Sequence, residues 1–262
     1  MPGKNSERRS MRYEHKVSLS WLRARQRVIT ASDVRKMLPD LKRLEAGKLT
    51  LEQCRSFAKV LGAKTNRFPD VEAPSSAAAR GHFLEPYAVT QWNTANADEV
   101  MWHWDDFLLT SASGLGFSPD ALDVPQPAGT ERMVATDGSF DGVMPTRLLE
   151  VKCYEDGAHW QRKLDQVAGV EHEERWQVAV AMCVCPSIKS GTVMWYAPQC
   201  DDWFSKTYVR ADLAEEMETI GRLVERWREF FDMMRSSPHA GTTLTEEDLR
   251  NAYLAERMLD AV

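Results

Sequence analysis

A chain of 262 residues with 43% hydrophobic side chains and nine tryptophans can bury a sizeable core, which excludes intrinsic disorder, while a charged fraction of 27% is ordinary for a water-soluble protein. No apolar run approaches bilayer length, and the polar, basic stretch Met1 to Ser10 lacks the apolar segment of a signal peptide, so a membrane role is excluded and a cytoplasmic location is expected. The net charge of −6 is unevenly placed: residues 1–43 carry twelve Lys and Arg against four Asp and Glu, a balance of +8 that leaves −14 elsewhere, so a basic end can meet phosphates while the remaining surface stays acidic.

Val17 to Leu38 contains a helix-like stretch around Trp21, Leu22 and Ala24, a break at Val28, Ile29 and Thr30, and a second short helix through Val34 and Met37. Thr30 or Ser32 can cap that helix, and Pro39 ends it. Thr50 to Leu61 reads as a helix opened by a capping box, Thr50 with Gln53. Pro69 to Ser76 is a loop by composition, and Ala77 to Trp92 is a further helix with Phe83, Tyr87 and Gln91 at four-residue spacing. Two β-rich stretches, Val100 to Leu109 and Gly114 to Val124, precede an insertion, Pro125 to Arg147, whose Pro, Gly and Asp content reads as a long loop or an inserted hairpin.

Leu148 to Tyr154 is the clearest strand. Asp165 to Cys183 reads as a helix, Gly191 to Ala197 as a strand, and Leu213 to Met234 as a long amphipathic helix assigned to the core. Thr245 and Asp248 can cap a final helix. The five cysteines, Cys54, Cys153, Cys183, Cys185 and Cys200, lack CxxC spacing, which fits reduced thiols rather than a disulfide framework or a structural zinc site. The mixture of elements is α/β, or α+β if the strands pair mainly antiparallel.

In Leu149-Glu150-Val151-Lys152-Cys153 the side chains alternate, so Glu150 and Lys152 share one face of a strand whose other face carries Leu149, Val151 and Cys153. An isolated Glu-x-Lys is more often a surface ion pair. Ser118-Pro119-Asp120, at the end of a preceding strand, raises the odds because it can deliver a second carboxylate to the same place. Asp120, Glu150 and the carbonyl of Val151 offer oxygen ligands to a hard cation such as Mg²⁺, and Lys152 can position the attacking water or assist its deprotonation, which together equip a site for phosphodiester hydrolysis. Glu85, on the Ala77 to Trp92 helix, is a candidate third carboxylate; alone it would read as an exposed helical glutamate.

These residues resemble the lambda-exonuclease or YqaJ-type viral recombinase nucleases, a branch of the PD-(D/E)XK superfamily. Trp21-Leu22-Arg23-Ala24-Arg25 followed by Val28-Ile29-Thr30-Ala31-Ser32 is similar to the family's opening WxxxR…ITAS signature. Gly81 and Glu85 match its Gly-x-x-x-Glu helix, Ser118-Pro119-Asp120 its SPD, Leu149 to Cys153 its LExKC, and Gln177 the glutamine of the helix after that strand. The match runs in order from Trp21 to about Met182. The chain departs from the family pattern in its 125–147 insertion, where Asp141 is a rival metal ligand to Asp120, in Ala77 to Ala79 at the place of an apolar wedge, and in Ala179 for a second glutamine.

The resemblance implies a restriction-endonuclease-like α/β core, a central mixed sheet flanked by helices, over a nuclease domain at 17–236, with a basic flexible segment at 1–16 and a helical tail at 237–262. It implies metal binding by Glu85, Asp120, Glu150 and Val151, catalysis by Glu85, Asp120, Glu150 and Lys152, and capture of a terminal 5′ phosphate by Arg25, Ser32, Ser118 and Gln177. The expected activity is Mg²⁺-dependent 5′-to-3′ digestion of double-stranded DNA ends to mononucleotides, with Mn²⁺ able to substitute. The expected partners are two further copies in a homotrimer and a single-strand annealing protein, in the host cytoplasm if the chain is phage-encoded. The rival readings are a structure-specific or restriction-like endonuclease with the same site, and a non-catalytic DNA-end-binding scaffold.

Overall fold

In the computed structural model, which describes residues 25–38, 51–65, 76–105, 107–126, 134–136 and 144–236, the chain builds two mixed sheets flanked by helices. The four-stranded sheet runs in the order β1 (Ile29–Thr30), β4 (Leu115–Phe117), β3 (Leu108–Thr110), β6 (Val134–Thr136). The five-stranded sheet runs β2 (Trp102–His103), β5 (Ala121–Leu122), β7 (Arg147–Cys153), β8 (Ser190–Ala197), β9 (Asp202–Val209). The helices are α1 (Ala31–Met37), α2 (Leu51–Thr65), α3 (Ser76–Ala95), α4 (Asp156–Val167), α5 (Arg175–Val184) and α6 (Ala214–Ser236).

β7 and β8 pair in parallel, with Glu150 opposite Val193 and Lys152 opposite Trp195. Parallel strands need a crossover, which α4 and α5 supply, and covering helices bury such strands on both faces. β8 is accordingly buried from Gly191 to Ala197. On one face, Ala88, Val89 and Trp92 of α3 pack with Leu149, Val151, Met194 and Tyr196. On the other, α5 lies close enough that Val178 abuts Gly191. α6 buries Ile220, Leu223, Val224, Trp227 and Phe230, a helical stripe, and Phe57 of α2 meets Trp227 and Phe230 edge-on at 5.8 and 5.6 Å. The core assignment of the long helix is therefore what the structure has.

Several expectations need correction. The helix expected over Asp165 to Cys183 is two helices, α4 and α5, because Gly169 takes φ +75° and turns the chain between them. Each β-rich stretch divides between the two sheets: β2 and β5 belong to one, β3 and β4 to the other. The Phe83, Tyr87 and Gln91 stripe faces away from the core, with Phe83 41% and Tyr87 55% exposed, and α3 buries the neighbouring Ala88, Val89 and Trp92 instead. The insertion contributes β6, parallel to β3, rather than a self-contained loop or hairpin in its described part. Thr30, not Ser32, caps α1: its N–H donates to Asp33 Oδ2 at 3.0 Å. Trp21, Leu22, Thr50, Pro69 to Ser75 and the Thr245 helix lie outside the described residues.

A Cβ at Gly191 would stand 2.4 Å from Val178 Cγ1. Gly191→Ala is expected to destabilise the fold by roughly 1–3 kcal/mol through overpacking, and Val178→Ala in the same chain is expected to recover part of the loss. Urea denaturation of the two single variants and the double variant measures both; additive losses would show that α5 does not press on β8 here.

Candidate active site

Glu150 is only 5% exposed, and a buried carboxylate needs a partner. Lys152, two residues along the same face of β7, supplies one: its Nζ donates to Glu150 Oε1 at 2.6 Å. On the strand's other edge β5 pairs with β7 only at Leu148 and Leu149, so the ladder stops before Val151. The Val151 N–H instead donates to Asp120 Oδ2 at 2.7 Å. The N–H and C=O of one extended residue point to the same side, so the Val151 carbonyl faces the gap that Asp120 borders.

Glu85 arrives from the opposite layer. It sits one turn before Ala88 and Val89, whose packing under β7 sets where α3 lies. His82 Nδ1 is 3.2 Å from its Oε1 and His103 Nε2 is 4.0 Å from its Oε2. Neither histidine stood out in the sequence: His82 to Glu85 is a helical i,i+3 spacing that could have been noticed, whereas His103 comes from β2 and carries no spacing signal.

The three carboxylates and the ammonium act on one another. Burial, then the charges of Glu150 and Glu85, push Asp120 well above the usual carboxylate range. Burial also opposes ionisation of Glu85, yet the neighbouring His103 and His82 rings, helped by Lys152, hold it at about 2. Desolvation works against the Lys152 charge, but Glu150 and Asp120 outweigh it and keep the ammonium protonated above its ordinary value. Cys153 is pushed up to about 12, first by burial and then by Glu85 and Asp120, so it is a neutral thiol.

Among the described residues no three His, Cys, Asp or Glu side chains form a ready metal cage. Lys152 holds Glu150, the Val151 N–H holds Asp120, and the two histidines hold Glu85. The donor chemistry nevertheless fits a hard divalent cation. Mg²⁺ needs only one or two carboxylates, because it retains water and takes phosphate oxygens, and one ammonium cannot neutralise three clustered carboxylates. Asp141 lies outside the described residues.

A second group forms at one end of the four-stranded sheet. Arg25 Nη2 donates to Ser32 Oγ at 3.5 Å, and Thr30 Oγ1 lies 3.5 Å from the same oxygen. β1 and β4 run parallel with Thr30 opposite Gly116, so Ser32 and Ser118 each follow two residues later at the same end. Gln177 lies on α5, which packs against α1 and β4, and its Oε1 is buried without a hydrogen-bond partner among the described residues. Arg25, Ser32 and Ser118 thus lie toward one end of this sheet, and Gln177 stands on the helix that packs against β4.

A carboxyl whose folded-state value is raised contributes stability that is complete below its unfolded value, near 3.8, and is lost as pH rises through the folded value. In the metal-free protein, Asp120→Asn is therefore expected to be more stable than wild type at pH 7, with the difference vanishing below pH 3.8. Thermal melts in EDTA across that range measure it; a variant less stable than wild type at neutral pH would show that Asp120 is not strained by its neighbours.

The profile of the YqaJ-like viral recombinase domain matches residues 20–191. Among solved structures, an alkaline exonuclease, LHK-Exo, from Laribacter hongkongensis is similar over 84% of this chain and 98% of its own, with TM-score 0.55 and 20% identity. The structure of LHK-Exo in complex with dAMP aligns over the same shares with TM-score 0.54 and 20% identity. No curated protein sequence matches. The shared fold is the restriction-endonuclease-like α/β architecture, and family and fold together support a DNA nuclease. With its match spanning well over half of the chain, this protein belongs to the YqaJ-like viral recombinase domain family.

Proposed function

We propose that the chain is a divalent-metal-dependent exonuclease that digests linear double-stranded DNA from 5′-phosphorylated ends, releasing mononucleotides and leaving a 3′ single strand. The observation that carries this reading is the joining of two groups by one short segment. Ser118 closes β4 on the Arg25–Ser32 side, and Asp120 precedes β5 on the acidic side. Two residues of chain span at most about 7 Å, so a terminal phosphate at the first group leaves the next phosphodiester near the second. A site arranged that way reads from an end. That LHK-Exo was crystallised with dAMP, a mononucleotide, agrees in kind with the product proposed here.

In this proposal Glu85, Asp120, Glu150 and the Val151 carbonyl hold the metal, and Lys152 is catalytic with the three acids. When bound, Mg²⁺, or Mn²⁺ in its place, supplies Lewis-acid charge at the scissile phosphate. Lys152, kept protonated by its carboxylate neighbours, orients the attacking water and offsets negative charge growing on the phosphate oxygens. The His82 and His103 contacts keep Glu85 ionised and aimed at the site. Arg25 presents a planar fork to the terminal phosphate, with Ser32, Ser118 and Gln177 adding hydroxyl and amide donors.

The wider proposal is that residues 17–236 form the nuclease, the basic segment 1–16 meets DNA phosphates, and 237–262 is a helical tail. It further holds that the protein works as a homotrimer with a single-strand annealing protein, in the cytoplasm of a bacterial host. These parts rest on the family resemblance. Among the described residues no helix is long and apolar enough to cross a membrane.

Linear duplex DNA labelled at either end, alongside closed circular DNA, tests the activity. The expected result is loss of label from 5′-phosphorylated ends as mononucleotide, dependent on Mg²⁺ and stopped by EDTA, with circles untouched. Nicking of circles without digestion of linear DNA would instead mark an endonuclease, and DNA binding without any metal-dependent product a scaffold. Lys152→Ala is expected to lower turnover by roughly 10²–10³-fold while DNA binding in a gel-shift assay persists; undiminished turnover would remove Lys152 from the chemistry.

A further inference from the structure

α2 contributes a residue to the phosphate-facing end of the molecule that no motif announces. Lys64 lies in its last turn, with a side chain only 13% exposed. A nearly buried ammonium must spend its donors on protein acceptors. Its Nζ donates to Asp33 Oδ2 at 2.6 Å and to the main-chain carbonyl of Arg25 at 2.8 Å. Asp33, whose side chain is 8% exposed, accepts in turn from the Thr30 N–H at 3.0 Å and the Thr30 hydroxyl at 2.7 Å.

The consequence is mechanical. Lys64 grips the backbone at Arg25, the residue whose guanidinium reaches Ser32. Asp33 grips the backbone and side chain at Thr30, so Ser32 is flanked by two anchored residues. Arg25 and Ser32 are seven positions apart, joined through the turn bond from the Val28 N–H to the Arg25 carbonyl, the β1–β4 ladder and the start of α1. The buried pair adds a side-chain tie across that corner, from α2 to the Arg25 backbone and through Asp33 to Thr30.

We propose that Lys64 and Asp33 are a positioning pair that holds Arg25 and Ser32 at the spacing needed to receive a terminal 5′ phosphate, so that α2 sets the preference for phosphorylated DNA ends. This rests on the pocket reading of Arg25 and Ser32 given above. Neither residue of the pair touches the DNA; both act through the corner they brace. Preorganised donors lose less on binding than donors that must first be ordered, so the pair's effect falls on discrimination between ends.

The test uses the full-length protein with Mg²⁺ on linear duplexes bearing either 5′-phosphate or 5′-hydroxyl ends, and reads the ratio of the two kcat/KM values. Lys64→Met is expected to lower that ratio roughly tenfold, the scale of one displaced charge-assisted contact. Lys64→Arg, which keeps a cation able to donate to both acceptors, is expected to retain most of it. A Lys64→Met ratio equal to wild type, or a loss shared equally by both ends, overturns the proposal. Should Lys64→Met fail to fold by circular dichroism because Asp33 is left as a lone buried charge, the Asp33→Asn, Lys64→Met double variant removes both charges and is judged by the same two outcomes. Arg25→Ala separates the two levels of inference. If wild type shows no preference, or Arg25→Ala leaves it intact, the pocket reading itself falls; if Arg25→Ala abolishes the preference while the Lys64 variants keep it, only the positioning pair falls.

Discussion

The hydrogen bond from the Val151 N–H to Asp120 Oδ2 is the constraint on which the acidic centre depends. β5 is two residues long and releases β7 after Leu149, leaving an open strand edge just where Glu150 and Lys152 project. A carboxylate takes the place of the next ladder partner, so the Asp120 side chain is held against the strand by a main-chain donor. Glu85 then enters because Leu149 and Val151, on the strand's reverse face, seat α3. One short strand therefore decides how many acids can meet.

That convergence is electrostatically unfavourable in isolation. Burial and two like charges raise Asp120, while Lys152 is kept protonated by the same acids. Each acid is held by a separate partner, which lets the cluster exist at all: an ammonium for Glu150, a backbone amide for Asp120, two histidines for Glu85. An arrangement of this kind stores repulsion at one place and relieves it only when positive charge arrives. The ordinary cores on either side of the sheet, around Trp195 and under α3, supply the stability that keeps it assembled.

The second organising feature is the crossing between sheets. β4 belongs to the four-stranded sheet and β5 to the five-stranded one, and Ser118-Pro119-Asp120 is the whole link between them. Pro119 fixes φ in that link and donates no hydrogen bond, which suits a chain leaving one ladder to enter another. The tripeptide thus couples the corner built by β1 and α1, with Arg25 and Ser32, to Glu150 on β7 through the Asp120 bond to Val151. Phe83 and Tyr87, 5.5 Å apart on the outer side of α3, take no part in either group.

By itself, the sequence determined the strand Leu148 to Tyr154, the shared face of Glu150 and Lys152, the long core helix, and the family, because alternation, helical periodicity and ordered motifs are local properties of the chain. It did not reveal that each β-rich stretch feeds two sheets, that Gly169 cuts a helix in two, or that the regular Phe83, Tyr87, Gln91 stripe is the outer face of α3. Those outcomes turn on which surfaces find partners, and a periodic pattern says that a face exists without saying what covers it. The same holds at the site. Glu85 with His103, and Asp33 with Lys64, are contacts between different elements, and only packing of α3 on β2 and of α2 on α1 brings these side chains within reach.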